Sequence, residues 1–194
     1  MRIGSGLASP VKTMKSWIAL FRGINVGGNN VLPMKKLVTL LEKANCRDVR
    51  TYIQSGNVVL RSSVTDPARL AKRIGAAVSA GCGFEPQVML VDREELERAA
   101  AANPFATVAS TNPKAVHLFF LAEHPRTPDL ESLDRLKAGS ESYSLEGTVL
   151  YLCTPDGFGT SKLAARIERH LGVPATARNW RTVMTLLDLA KSEH

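Results

Sequence analysis

The 194-residue sequence is poor in the groups that most often announce a function. It has only three cysteines, Cys46, Cys82 and Cys153, far apart and without a CxxC pair. They are expected to be small buried hydrophobes in a reducing compartment, with no zinc framework. The four histidines, His117, His124, His170 and His194, lack ligand spacing, and His117 falls inside an apolar run, so no metal centre is expected. Aromatic residues make up 6% of the chain. The run Val58-Val59-Leu60 lacks the exposed aromatics and RNP1 pattern with which a sheet surface stacks RNA bases. There is no GxSxG elbow, and no Cys or Ser has a histidine placed beside it by sequence logic, so nucleophilic catalysis has no visible set. No GxGxxG or Walker loop occurs, and no cofactor is expected. No run approaches the roughly 20 apolar residues that cross a bilayer, and the apolar part of the N-terminal tail is too short for a secretory signal. A cytoplasmic protein without a membrane partner is the expectation.

What is present is positive charge, unevenly placed. The formal net charge is +7. The tail supplies Arg2 and Lys12, residues 14–105 carry five net positive charges, and residues 106–194 sum to zero. Any broad basic surface belongs to the first half. There Arg47, Arg50, Arg61, Arg69, Lys72 and Arg73 form either a solvated face or an attraction for a polyanion.

The chain also contains one unit twice. Tyr52, Gly56 and Val58 are answered by Tyr143, Gly147 and Val149, and Arg69-Leu-Ala-Lys-Arg-Ile74 by Lys162-Leu-Ala-Ala-Arg-Ile167. In the first copy, Trp17–Phe21 reads as a strand buried on both faces, and Pro33 opens a helix through Ala44. A hairpin follows, 50–54 and 58–61 around Ser55-Gly56-Asn57. Asp66 caps a helix that Gly81 and Gly83 stop, 87–91 makes a fourth strand, and Asp92 with Glu95 forms a capping box for a further helix. The second copy repeats this with a strand at 116–121, a helix near 128–136, a hairpin at Glu146-Gly147, a helix at 161–170, a strand at 174–178 and a last helix at 181–190. Each copy is β-α-β-β-α-β. The predicted fold class is therefore α+β, a tandem duplication of ferredoxin-like halves with antiparallel sheets, each followed by an extra helix. The expected division is a tail at 1–13, an upstream extension or cloning remnant, then half 1 at 14–105 and half 2 at 106–194, packed as one body. First and third strands should lie in the centre of each sheet, with the open face covered by the extra helices or the other copy.

Two segments carry the polar equipment of a binding site. The loop after the first strand, with Arg22, Asn25, Gly27 and Gly28, should face Gln54, Ser55 and Asn57 at one end of the sheet. The competing reading is a long loop pinned by its own asparagines. At the opposite end of the second copy, Gly157, Gly159, Ser161 and Lys162 lead into a helix start, where free N–H groups and the helix dipole favour an anion. The fourth strand should bring Arg178, Asn179 and Arg181 to the same place, so that two arginines and a helix N-terminus hold a phosphate or carboxylate. In the first copy that loop has no glycine and an acidic cap, Asp66, so only the second copy looks adapted. Asp156 and Glu146 also sit in loops, without evident convergence as an acid/base pair.

These segments resemble the bacterial family called domain of unknown function 1697. The resemblance rests on Ile18-Ala-Leu-Phe-Arg-Gly-Ile-Asn-Val-Gly-Gly28, Arg50-Thr-Tyr-Ile-Gln-Ser-Gly-Asn-Val58, Gly159-x-Ser-Lys-Leu163 and Ala175-Thr-x-Arg-Asn-Trp-x-Thr-Val183. It implies an α+β protein of ferredoxin-like halves and unassigned biochemical function; Asn29 stands where the family pattern leads one to expect lysine. The reading favoured by the residues is a protein that binds an anionic, phosphate-bearing small molecule or a nucleic-acid phosphate. The alternatives are an enzyme acting on a phosphorylated or nucleotide substrate and a protein-interaction module without a small ligand. Whether it is an enzyme, and its oligomeric state, stay open at this point.

Overall fold

A computed structural model of the chain describes residues 13–25, 27, 28 and 30–191. The expected tail, apart from Thr13, lies outside the described residues, as does Asn29. The first half runs β1 (Lys15–Arg22), α1 (Met34–Lys43), β2 (Arg47–Tyr52), β3 (Asn57–Ser62), α2 (Pro67–Cys82), β4 (Gln87–Asp92) and α3 (Arg93–Ala101). A short helix not foreseen from the sequence, α4 (Ala106–Thr111), joins it to the second half. There β5 (Val116–Leu121), α5 (Leu130–Leu136), β6 (Ser142–Glu146), β7 (Val149–Cys153), α6 (Ile167–Leu171), β8 (Ala175–Asn179) and α7 (Trp180–Lys191) follow.

The two sheets have the same topology. Their orders are β2-β3-β1-β4 and β6-β7-β5-β8, all antiparallel, so first and third strands of each half are central. This is the duplicated ferredoxin-like α+β fold that the sequence predicts. Both hairpins turn on the matched glycines, with φ of 72° at Gly56 and 59° at Gly147, a backbone region open to glycine without a Cβ penalty.

The central strands are apolar on consecutive residues because each face meets a different core. Trp17, Ala19 and Phe21 point toward α1 and α2, packing with Leu37, Leu41, Leu70 and Ile74. Ile18 and Leu20 point the other way, into a cluster shared with Leu118, Phe120 and Tyr151 of the second sheet, Leu96 of α3, and Val183 and Leu186 of α7. Phe119 and Leu121 complete the pattern on the helix side of the second half, with Leu133, Leu163 and Ile167. Each sheet thus buries its open face in a core built by both copies and their extra helices.

One helix departs from its expected form. Residues 161–170 were predicted to be continuous, whereas the segment has a 3-10 turn at Ala164–Arg166 and only then the five-residue α6. Ser161 Oγ accepts the N–H of Ala164 at 2.9 Å, and the Arg166 N–H bonds Leu163 three residues back, which tightens the chain beyond α-helical pitch. Leu163 and Ile167 are nevertheless fully buried, like Leu70 and Ile74 in the first copy. Burial kept the repeat's spacing where backbone regularity lapsed.

Candidate functional site

The loop after β1 is held by its own amides. Asn25 Nδ2 donates to the carbonyls of Leu32 (2.9 Å) and Gln54 (2.8 Å), while its Oδ1 accepts the Leu32 N–H at 2.7 Å. Asn30 Nδ2 bonds the Gly23 carbonyl at 2.9 Å. Both asparagines adopt positive φ, 56° and 50°, which their short polar side chains tolerate. The loop and the β2–β3 hairpin do meet, as expected: the Phe21 N–H donates to the Gly56 carbonyl at 2.8 Å. A Cβ on Gly56 would lie 2.5 Å from the Phe21 Cβ, so only glycine permits this approach. Asn57 is fully buried and donates to Ser55 Oγ at 2.9 Å. The amides expected to read a ligand are therefore spent on building the turn, while Gly27, Gly28, Gln54 and Ser55 remain exposed.

Arg178 joins this end of the molecule instead of the second-copy loop. It stands opposite Leu118 in the β5–β8 ladder, so its side chain leaves the sheet on the face shared by the two halves. Its Nε donates to Asn57 Oδ1, one terminal nitrogen to the Phe21 carbonyl at 2.8 Å, and the other to Thr176 Oγ1 and the Ala177 carbonyl at 2.9 and 2.8 Å. These acceptors are all uncharged. Desolvation pushes its pKa down to about 10, still well above neutrality, so a cation is held across the joint by oxygen dipoles alone.

This separates Arg178 from the anion site predicted around Lys162. Phe158 stacks on His117 with ring centroids 3.9 Å apart and also meets Phe119, which puts the Gly157–Lys162 loop on the helix side of the second sheet, opposite to Arg178. The expected helix N-terminus is also missing, because the chain there turns through 3-10 geometry. Gly157 takes a φ of 117°; Gly159 and Lys162 are exposed, and Ser161 is buried as the local cap. Asn179 caps α7, its Oδ1 accepting the Thr182 N–H at 2.9 Å, and Arg181 follows exposed in the first turn. Of that set, the sheet register keeps Asn179 on the His117 side and sends Arg178 through to the other half.

A second arginine crosses the joint in the reverse direction. Arg22, at the end of β1, makes a two-pronged salt bridge to Glu168 of α6, both contacts at 2.6 Å. It also forms part of the wall of a cleft of about 720 Å³ between the halves. One wall is the edge strand β4 with residues of α2 and α3; the other is the end of β5, the β6–β7 hairpin and the start of β8. The floor is apolar, with Leu20, Met89, Phe120 and Val149; Arg98, Glu95, Glu146 and Thr148 stand exposed on the lining, and Thr176 is a buried polar group within it. Glu95 is engaged in the capping box, accepting the Asp92 N–H at 3.0 Å. Arg98 is exposed, and its guanidinium makes no hydrogen bond or salt bridge among the described residues, although Asp92 lies near enough to feel its charge. Thr176 connects the cleft to Arg178.

Of the binding residues expected from sequence, only Arg22 lines this cleft; Glu146, noted there as a loop carboxylate, lines it as well. Arg98, Thr148 and Thr176 were missed because the walls come from segments that fold apart in sequence and meet only when the sheets pack. One signal was available: Val88-Met89-Leu90-Val91 is as apolar as a central strand, yet β4 lies at a sheet edge with residues 88–90 only partly covered.

Among the described residues no helix is long and apolar enough to cross a membrane, and no cluster of three or more potential metal ligands occurs. Comparison of the sequence with curated proteins gives no match. The structure is similar to that of the conserved bacterial protein SP0830 from Streptococcus pneumoniae, at 21% identity and a TM-score of 0.65, over 92% of this chain and 100% of that one. That likeness carries the fold. The family described as "Protein of unknown function (DUF1697)" matches residues 14–151, which span the whole first half and the second sheet as far as β7, and the chain belongs to that family.

Proposed function

We infer that the protein binds a small molecule with an apolar body and an anionic group, such as a phosphate or carboxylate, in the cleft between its halves. The observation that carries this reading is the cleft itself. Its volume, about 720 Å³, lies within the roughly 300–1,000 Å³ typical of ligand sites, and it combines an apolar floor with a few polar groups at the rim. The apolar floor takes the body of the ligand. Arg98, which makes no salt bridge among the described residues, meets the anion, and Arg22 stands on the same lining. Of the two carboxylates on the lining, Glu95 is tied to the Asp92 backbone, and Glu146 lies close to Tyr151.

The test is a thermal-shift screen of nucleotides, sugar phosphates, inorganic phosphate and small organic acids, repeated on Arg98→Ala and on Thr148→Trp, which fills the cleft from an exposed turn. A ligand bound only by the folded state raises the melting temperature by mass action. The expected result is a compound whose shift shrinks in both variants. An undiminished shift in both variants would move the ligand elsewhere, and no shift with any anionic compound would end this reading.

A further inference from the structure

We propose that the α1–α2 layer of the first half is a docking face for the phosphate backbone of duplex nucleic acid. These two helices expose Lys35, Lys36, Lys43, Arg69 and Lys72, with the half-buried Arg73 beside them, against a single acid, Glu42. None of the six cations makes a salt bridge among the described residues; the one charge effect at this layer is that of Arg73 on the buried thiol of Cys46. Six like charges on two adjacent helices repel one another; besides Glu42, the acids nearest α2 among the described residues are Asp66, which caps its N-terminus, and Glu85, against Gly75.

The duplication supplies the comparison. The equivalent layer of the second half, α5 and α6 with their flanks, also exposes cations without a salt bridge among the described residues, Lys162, Arg166 and Arg169, but sets four paired acids among its charges: Glu131 with Arg135 (2.5 Å), Asp134 with Lys137 (3.7 Å), Asp129 with His170 (3.3 Å) and Glu168 with Arg22 (2.6 Å). Two copies of one architecture therefore differ in the acids they set among the cations of the same surface, four in the second and one on the helices of the first. The arrangement in the first copy is what an external polyanion requires.

The two helices are also packed closely together. Gly81 of α2 lies so near α1 that a Cβ there would come within 2.5 Å of a Leu40 methyl. This contact packs the C-terminal turn of α2 against α1, so that Lys36 and Lys43, two turns apart on α1, and Arg69 and Lys72, in the first turns of α2, belong to one helical layer. Arginine supplies flat forks that match phosphate oxygens, and lysine adds mobile point charges. No large exposed side chain among the described residues is aromatic; Val31, Ile53, Leu130 and Met184 are the exposed large hydrophobics. A single strand is held by stacking its bases on aromatic rings, so this face suits the outside of a duplex, read without regard to sequence.

The experiment is fluorescence anisotropy of the whole protein with a labelled DNA duplex, the matching single strand, and polyglutamate as competitor, across a salt series. The triple variant Lys36→Glu/Arg69→Glu/Lys72→Glu is compared with Lys114→Glu/Arg126→Glu/Arg169→Glu, which removes the same charge from the second half. Melting curves confirm that both fold. Expected are duplex binding that weakens with salt by a log–log slope of about −0.9 per phosphate engaged, at least a roughly tenfold loss in the first variant, and little change in the second. No duplex binding at low salt, equal loss in the two variants, stronger binding of the single strand, or equal affinity for polyglutamate would each overturn the proposal. The cleft variants Arg98→Ala and Thr148→Trp lie outside this surface, so this outcome is independent of the small-molecule reading.

Discussion

Arg178 and His117 show how a residue that looks functional in sequence can be explained by its surroundings. Arg178 has hydrogen-bond acceptors in both copies, Asn57 and Phe21 in one and Thr176 and Ala177 in the other. Its role in the structure is to join them. His117 lies beneath Phe158, 8% exposed, and burial pushes its pKa from 6.5 down to about 4. The unfolded chain therefore takes up this proton first, and the stability that the neutral ring contributes is complete above pH 6.5 and lost as pH falls toward 4. The expected contribution is on the order of 3 kcal/mol. Urea unfolding from pH 7 to 4 should show a smaller acid loss in His117→Phe than in the wild type; identical pH profiles would refute it. Little of this was legible in advance. The sequence placed His117 in a strand and Arg178 near a strand end, but which face each side chain takes depends on the pairing register, and a shift of one residue exchanges the faces.

Local signals of element boundaries were read well where the side chain itself closes the boundary. Asp92 accepts the Glu95 N–H at 2.7 Å while Glu95 returns the bond, the capping box anticipated from their spacing. Asp66 likewise accepts from Ala68 and Arg69. Gly83 ends α2 at a φ of 78°, whereas Gly81, the other expected stop, lies inside the helix against Leu40. Asp92 also pairs with Lys15 at 2.8 Å, linking the cap of α3 to the start of β1. Asp92→Ala should lower stability by roughly 1–2 kcal/mol, measured by urea denaturation, with Asp92→Asn recovering part of the loss through its capping oxygen. Equal stability of wild type and Asp92→Ala would count against the cap. The segment 161–171 was harder to read, because its buried leucine and isoleucine have the same spacing as a regular helix and the 3-10 turn leaves no mark in the apolar pattern.

At the scale of the molecule, strand order and duplication were legible because the apolar pattern repeats, whereas the cleft was not, because no single segment contains it. The shared core has an energetic consequence. Ile18, Leu20, Val59, Val91 and Leu96 of the first half are buried in a cluster with Leu118, Phe120, Tyr151, Val183 and Leu186 of the second. Residues 14–105 alone would expose that face to water. Expressed separately, they should bind a hydrophobic dye and lack a sharp unfolding transition, whereas the whole chain unfolds in one step by both fluorescence and circular dichroism. A cooperatively folded, dye-silent isolated half would show that each copy carries enough core by itself.

The two crossing arginines also determine something the cleft lining does not. Arg22 reaches from the first half to Glu168, and Arg178 from the second half to Asn57 and Phe21. One stands on the cleft wall and the other lies one hydrogen bond behind it, through Thr176. Together they act as a spacer gauge, fixing how far apart the walls stand. If the cleft takes the ligand proposed for it, substitutions among the floor residues should alter which shapes are accepted, whereas substitutions at positions 22 and 178 should alter the aperture itself. On the binding reading proposed above, selectivity and entry are therefore set at different positions of the same joint.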